Sequence, residues 1–201
     1  MARYTGPKNK LARRAGSSLE LKTNATKLQR RLGILPGTHG RKGKRKVSDF
    51  GEQLAEKQKL KWAYGLLERQ FRRYFTKAAK AKGVTGEMLL SLLERRLDNV
   101  VYRLSFAPTR AAARQLVSHG HVRVNNHKIS IPSYQVKPED IITLSAKALN
   151  IPTIKELASQ KPVVPKWLAR KAAVGKISRL PQRDDITVDV NEQLIIEYYS
   201  R

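Results

Sequence analysis

Residues 109–142 read TRAAARQLVSHGHVRVNNHKISIPSYQVKPEDII, and this stretch decides the fold. Pro108-Thr109 opens a helix with threonine as N-cap, and His119-Gly120 closes it with a residue free to take positive φ. After Gly120 the helical spacing gives way to alternation, with Val122 and Val124 on one side and His121, Arg123 and Asn125 on the other. Asn125-Asn126 tolerates the left-handed turn region, Lys128 to Ile131 resumes the alternation, and Pro132 ends it. The stretch predicts a short helix and a tight antiparallel hairpin that carries Arg123, His127 and Lys128 on its outer face and tip. Tyr134-Gln135-Val136 and Ile141 to Leu144 add two strands, separated by Pro138-Glu139-Asp140, which reads as a type I turn.

Within the helix, Arg110, Arg114 and Ser118 share a face at four-residue spacing. Two like charges so placed repel by roughly 0.2 to 0.5 kcal/mol in an isolated helix, so an anion lying across them explains the pattern; the alternative is a solvated basic face.

Charge extends that reading to the whole chain. The formal net charge is +25, and residues 1–82 hold 23 Lys or Arg against 5 Asp or Glu, a net of +18, which leaves +7 for residues 83–201. An excess graded toward one end points to a polyanion, with nucleic acid as the default. No cysteine is present, which excludes disulfides, thiolate metal sites and cysteine nucleophiles. No apolar run reaches the roughly 18 residues that span a bilayer, and the basic start lacks the apolar core of a signal peptide, so no membrane partner is expected.

Residues 1–46 are punctuated by Gly6-Pro7, Gly16, Gly33, Pro36-Gly37, Gly40 and Gly43 and carry few apolar side chains. They read as a basic RNA-contacting arm that buries too little surface to fold alone. Arg41-Lys42-Gly43-Lys44-Arg45-Lys46 is its densest stretch, suited to phosphates because each neutralised phosphate releases counterions. Residues 47–91 read as a helical domain, opened by the N-cap Ser48 and broken near Tyr64-Gly65, with helices from 153–176 joining it. Leu54, Leu60, Leu67, Phe71 and Phe75 are its candidate core, and an apolar stripe from Leu89 to Leu104 reads as one further helix. Residues 92–201 form an α+β domain, with the RNA-binding module at about 93–150 and a C-terminal hairpin at 186–199 that completes the sheet; the spacing also predicts a helix around Trp167 to Ala173. The fold class is α+β: a basic arm, a small helical domain, and an antiparallel-sheet domain with helices on one side.

Ser48-Asp49-Phe50-Gly51-Glu52-Gln53-Leu54, Leu97-Asp98-Asn99-Val100-Val101-Tyr102-Arg103-Leu104, Ala113-Arg114-Gln115, His119-Gly120-His121 and Ile131-Pro132-Ser133-Tyr134 resemble the small-subunit ribosomal protein four family, bacterial or organellar type, along nearly the whole chain. The resemblance implies a structural, non-enzymatic protein of the small (30S) ribosomal subunit, in the cytoplasm or an organelle. It would bind the five-prime domain of small-subunit (16S-type) ribosomal RNA and nucleate assembly of the subunit body. It would also influence decoding accuracy beside the entrance channel for messenger RNA, next to ribosomal proteins five, twelve and three. Carried over, Arg3, Lys8, Arg13, Arg14, Arg41, Lys42, Lys44, Arg45, Lys46, Lys57, Lys59, Arg72 and Arg73 clamp phosphates, while Arg110, Arg114, His121, Arg123 and Lys128 form the module's RNA face. Many members hold zinc on four arm cysteines; this chain is a zinc-free variant whose arm would be ordered by RNA alone. Asn126 and Glu139 stand where glycine is common.

Other signals are weaker. Gly37-Thr38-His39-Gly40 fits the GxxG of a KH loop without the surrounding KH pattern, no Walker A motif occurs, and His119, His121 and His127 lack metal-ligand neighbours. No cofactor or catalytic constellation is evident. An RNA-modifying or tRNA-charging enzyme would need a catalytic domain, and a helix-turn-helix DNA regulator would need a helix after Gly120, where the sequence gives a strand.

Overall fold

The computed structural model describes residues 3–22, 26–42, 46–159 and 163–200. In chain order these form α1 (Lys8–Ala15), α2 (Thr26–Gln29), α3 (Asp49–Ala63), α4 (Glu68–Lys80), α5 (Thr85–Glu94), α6 (Leu97–Arg103), α7 (Arg110–Ser118), β1 (Val122–Val124), β2 (His127–Lys128), β3 (Ile141–Leu144), α8 (Ala146–Leu149), α9 (Pro152–Ser159), β4 (Leu168–Lys171), β5 (Val174–Ile177) and α10 (Glu192–Tyr199). The chain divides into two compact units, one of residues 1–89 with 188–201 and one of residues 90–187. The helices of 153–176 therefore do not join the first unit, and the C-terminal segment does not join the sheet.

In the first unit, Ser48 caps α3 by accepting from the Gly51 N–H at 3.3 Å, while Asp49 and Glu52 sit in the positive first turn. Gly65, at φ 62°, ends the helix: Gly65 donates to the Trp62 carbonyl and Leu66 to the Lys61 carbonyl, the paired bonds of a Schellman stop. Residues 186–199 form no hairpin. Asn191 caps α10 by accepting from the Gln193 N–H, and the helix lies on α3, with Ile195 fully buried. Tyr199 stacks on Phe75 with centroids 4.4 Å apart, and Tyr198 lies 5.6 Å from Phe50. The arm also has structure of its own. Helix α1 packs on α3, and Leu11, Ala12, Leu19 and Leu28 are buried.

The second unit is the α+β part, built on a five-stranded antiparallel sheet of order β2-β1-β3-β5-β4. Alternation sets its faces. Val122, Val124, Ile142, Leu144 and Ile177 point inward onto Leu97, Val100, Val101 and Leu104 of α6 and Ala113, Leu116 and Val117 of α7. The β1–β2 turn is Asn125-Asn126, both residues at positive φ, as a two-residue hairpin requires. Four expectations are corrected. The stripe from Leu89 to Leu104 is two helices, parted at Arg95-Arg96. Trp167 to Ala173 is not helical; Leu168–Lys171 is strand β4, whose hairpin turns through Ala172 at φ 51°. Tyr134 to Val136 forms only an isolated bridge, Arg96 to Gln135, and not a strand. Glu139 takes φ 70° behind Pro138, and Asp140 donates to the Lys137 carbonyl, so the turn is type II and not type I.

Candidate nucleic-acid interface

Helix α7 begins as its sequence dictates: Thr109 caps it by accepting from the Ala112 N–H, and Gly120, at φ 70°, stops it. Gly120 donates to the Val117 carbonyl and His121 to the Leu116 carbonyl, which aims the chain into β1. A Cβ on Gly120 would meet the flexible end of Lys128, which can swing aside, so it is the positive φ that calls for glycine here.

Beneath α7 lies a buried charge network. Glu94 takes Arg103 in a two-pronged pair at 3.1 and 2.8 Å, and Asn99 donates to Glu94 at 2.7 Å. Asp98 takes Arg96 at 3.0 and 2.7 Å, and Asn99 Oδ1 accepts from Arg110 Nε at 2.9 Å. Arg110 also lies over the Tyr102 ring at 4.5 Å and is only 8% exposed. This corrects its assignment to the RNA face: the guanidinium is packed inward and braces α7 against α6. Arg114 is intermediate in exposure, with its guanidinium 3.7 Å from Asp98. Ser118 turns its hydroxyl back to the Arg114 carbonyl.

The outward groups in this unit sit past the helix. Arg123, His127 and Lys128 are exposed, and Arg123 and Lys128 are cross-strand partners on the solvent face. His121 is half-exposed, with Nδ1 3.4 Å from Ser145 Oγ. The hairpin tip is pinned: Asn125 donates to Asp140 at 2.8 Å and accepts from the Ile141 N–H at 2.9 Å.

In the first unit, Arg3, Arg14, Lys42, Lys46, Arg72 and Arg73 are exposed. Lys8 is half-exposed, and burial, with Lys22 and Arg3 nearby, pushes its pKa down. Arg13 is turned inward, donating to the Ile34 carbonyl at 2.8 Å and the Leu35 carbonyl at 2.9 Å, and so clamps the arm's loop onto α1. Order in the arm thus comes from Arg13 and from buried Leu11, not from RNA alone. Lys57 is likewise corrected: it is 3% exposed, bound to Glu68 at 2.9 Å, and 4.5 Å from the Tyr198 ring. Lys59 pairs with Glu56 and Asp189, each at 3.6 Å. The side chain of Arg41 and all of Lys44 and Arg45 lie outside the described residues.

Sequence reasoning named Arg73 but passed over the helix face it belongs to. Arg69, Arg73, Lys77 and Lys80 are exposed and spaced by four, four and three along α4, opposite buried Phe71, Tyr74 and Ala78. The spacing alone carries that signal, since one helix face is all cation. Among the described residues no group of His, Asp and Glu is arranged to hold a metal ion, and no helix is long and apolar enough to cross a membrane.

Comparison with known proteins accords with this geometry. Residues 3–94 match the ribosomal protein S4/S9 N-terminal domain, and residues 95–142, from α6 into β3, match the S4 domain. Small ribosomal subunit protein uS4 of Akkermansia muciniphila is 51% identical and that of Brevibacillus brevis 48%, each over the full length of both chains. The uS4 of Cupriavidus taiwanensis is 51% identical over the same full coverage. On full-length identity at this level, the chain belongs to the uS4 family of small ribosomal subunit proteins.

Proposed function

We propose that the protein is a structural constituent of the small ribosomal subunit that binds 16S-type ribosomal RNA directly, nucleates assembly of the subunit body, and contributes to translational accuracy beside the entrance channel for messenger RNA. The full-length identity with small ribosomal subunit proteins carries the reading. The exposed cations support it. Arg3, Arg14, Lys42, Lys46, Arg72 and Arg73 in one unit and Arg123 and Lys128 in the other give many phosphate contacts, and affinity built that way depends steeply on salt. Its ribosomal location, in the cytoplasm or an organelle, and its neighbours, proteins five, twelve and three, belong to the same proposal.

The test is ultraviolet crosslinking in the protein's own cells, followed by sequencing of bound RNA. Reads concentrated at a junction in the five-prime domain of small-subunit ribosomal RNA are expected. Reads dominated by transfer RNA or scattered messengers would overturn the reading.

A further inference from the structure

The register of the sheet places its solvent-facing residues in rows. Lys128, Arg123, Thr143, Val174 and Lys171 follow one another across all five strands, and Ile141, Lys176 and Ala169 form the next row. Of these eight, four are cations and none is an acid; Glu139, from the turn before β3, binds Lys176. Ile141 and Val174, each 43% exposed, are the aliphatic middle of the face. Four interstrand steps separate Lys128 from Lys171, about 19 Å, so in the first row the cations stand at the two margins with uncharged residues between them, while Lys176 stands inside the second row, between Ile141 and Ala169.

We propose that this face is an RNA-binding surface that takes a double-helical segment, with Lys171 and Lys176 as contacts the sequence did not show. The inference rests on the ribosomal reading and extends it to the β4–β5 hairpin. None of the eight outer positions is aromatic, so the face lacks the rings on which unpaired bases stack. Paired RNA instead offers phosphates on either side of a wide, shallow minor groove lined by 2′-hydroxyls. Arg123 and Lys128 at one margin and Lys171 at the other meet the two backbones, while the Thr143 hydroxyl and the Ile141 and Val174 methyls meet the sugars. Charge favours RNA over a protein partner, because the face carries cations at both margins.

The test uses the full chain and a transcript of the five-prime domain of small-subunit ribosomal RNA. Lys171→Gln with Lys176→Gln should leave the melting temperature within a few degrees and lower the slope of log K against log salt by about 2. Because the chain has no cysteine, Ala169→Cys gives a single attachment point for an iron chelate, and hydroxyl-radical cuts should fall on both strands of one paired segment. An unchanged slope, or cuts confined to loops, overturns the proposal. Wild-type protein that does not bind the transcript would instead overturn the ribosomal reading. A crosslink from position 169 to another ribosomal protein in assembled subunits also refutes it and gives the face to a protein.

Discussion

Asp98 stands 3.7 Å from the Arg114 guanidinium while holding buried Arg96 with both of its oxygens. One carboxylate therefore fixes the loop between α5 and α6 and sets where an arginine on α7 rests. Asp98→Ala leaves Arg96 buried without that partner, which should cost about 3 to 5 kcal/mol, read as a lower urea midpoint. A midpoint unchanged within error would show that Arg96 finds other compensation.

Arg110 and Arg123 should separate stability from binding. Arg110→Ala loses the bond to Asn99 and the contact with Tyr102, so it should destabilise by about 1 to 3 kcal/mol. Arg123→Ala, at an exposed position, should change stability by less than about 0.5 kcal/mol yet lower the salt slope of RNA binding by about 1. Melting curves and a filter-binding salt series on both variants decide; the reverse pattern would sink the assignment.

Acid should loosen α10. Partial burial alone would raise the Glu68 carboxyl, but hydrogen bonds from Lys61, Lys57 and Tyr199 outweigh it and hold its pKa at about 2. Burial and the bond to Glu68 push the Tyr199 hydroxyl upward. A carboxyl depressed in the folded state stabilises it above the ordinary value of 4.5, and the contribution fades as pH falls from there toward about 2. Glu68 is 46% exposed, so screening limits the effect to about 1 kcal/mol. Tyrosine fluorescence on acid titration should report the loosening, and Glu68→Gln should remove its pH dependence.

The arm should be indifferent to chelators and sensitive to Arg13. EDTA should leave thermal unfolding unchanged, since no cysteine exists to hold zinc. Arg13→Ala frees the carbonyls of Ile34 and Leu35, and amide exchange around residues 32–40 should quicken by about tenfold for each 1.4 kcal/mol of local stability lost. Unaltered exchange there would mean that buried Leu11 and Leu28 suffice.

The α7–β1–β2 stretch was legible because caps, alternation and a pair of turn-forming asparagines all pointed one way. At β4 they conflicted. Leu168-Ala-Arg-Lys favours helix locally, and its hairpin turns through Ala172, a residue that gives no turn signal; pairing with β5 overrode both. In α10, the alternation of Leu194, Ile196 and Tyr198 suggested a strand and hid Ile195, the residue most deeply buried. The candidate site was read by charge, and charge does not say which way a long side chain turns. Lys57, Arg13 and Arg110 look like the other cations in sequence, yet each is turned to a partner within the fold. Only packing separates them from Arg72, Arg123 and Lys128.

The first unit is interrupted in sequence by the whole of the second, since α10 follows residue 187. During synthesis, residues 90–187 emerge before α10 does, so their sheet can form while the aromatic side chains of α3 and α4 still await Tyr198 and Tyr199. A chain released early, short of α10, would carry a finished sheet and an open, apolar helical face. Closure of the more basic unit thereby waits on a helix that is made only after the whole of the other unit.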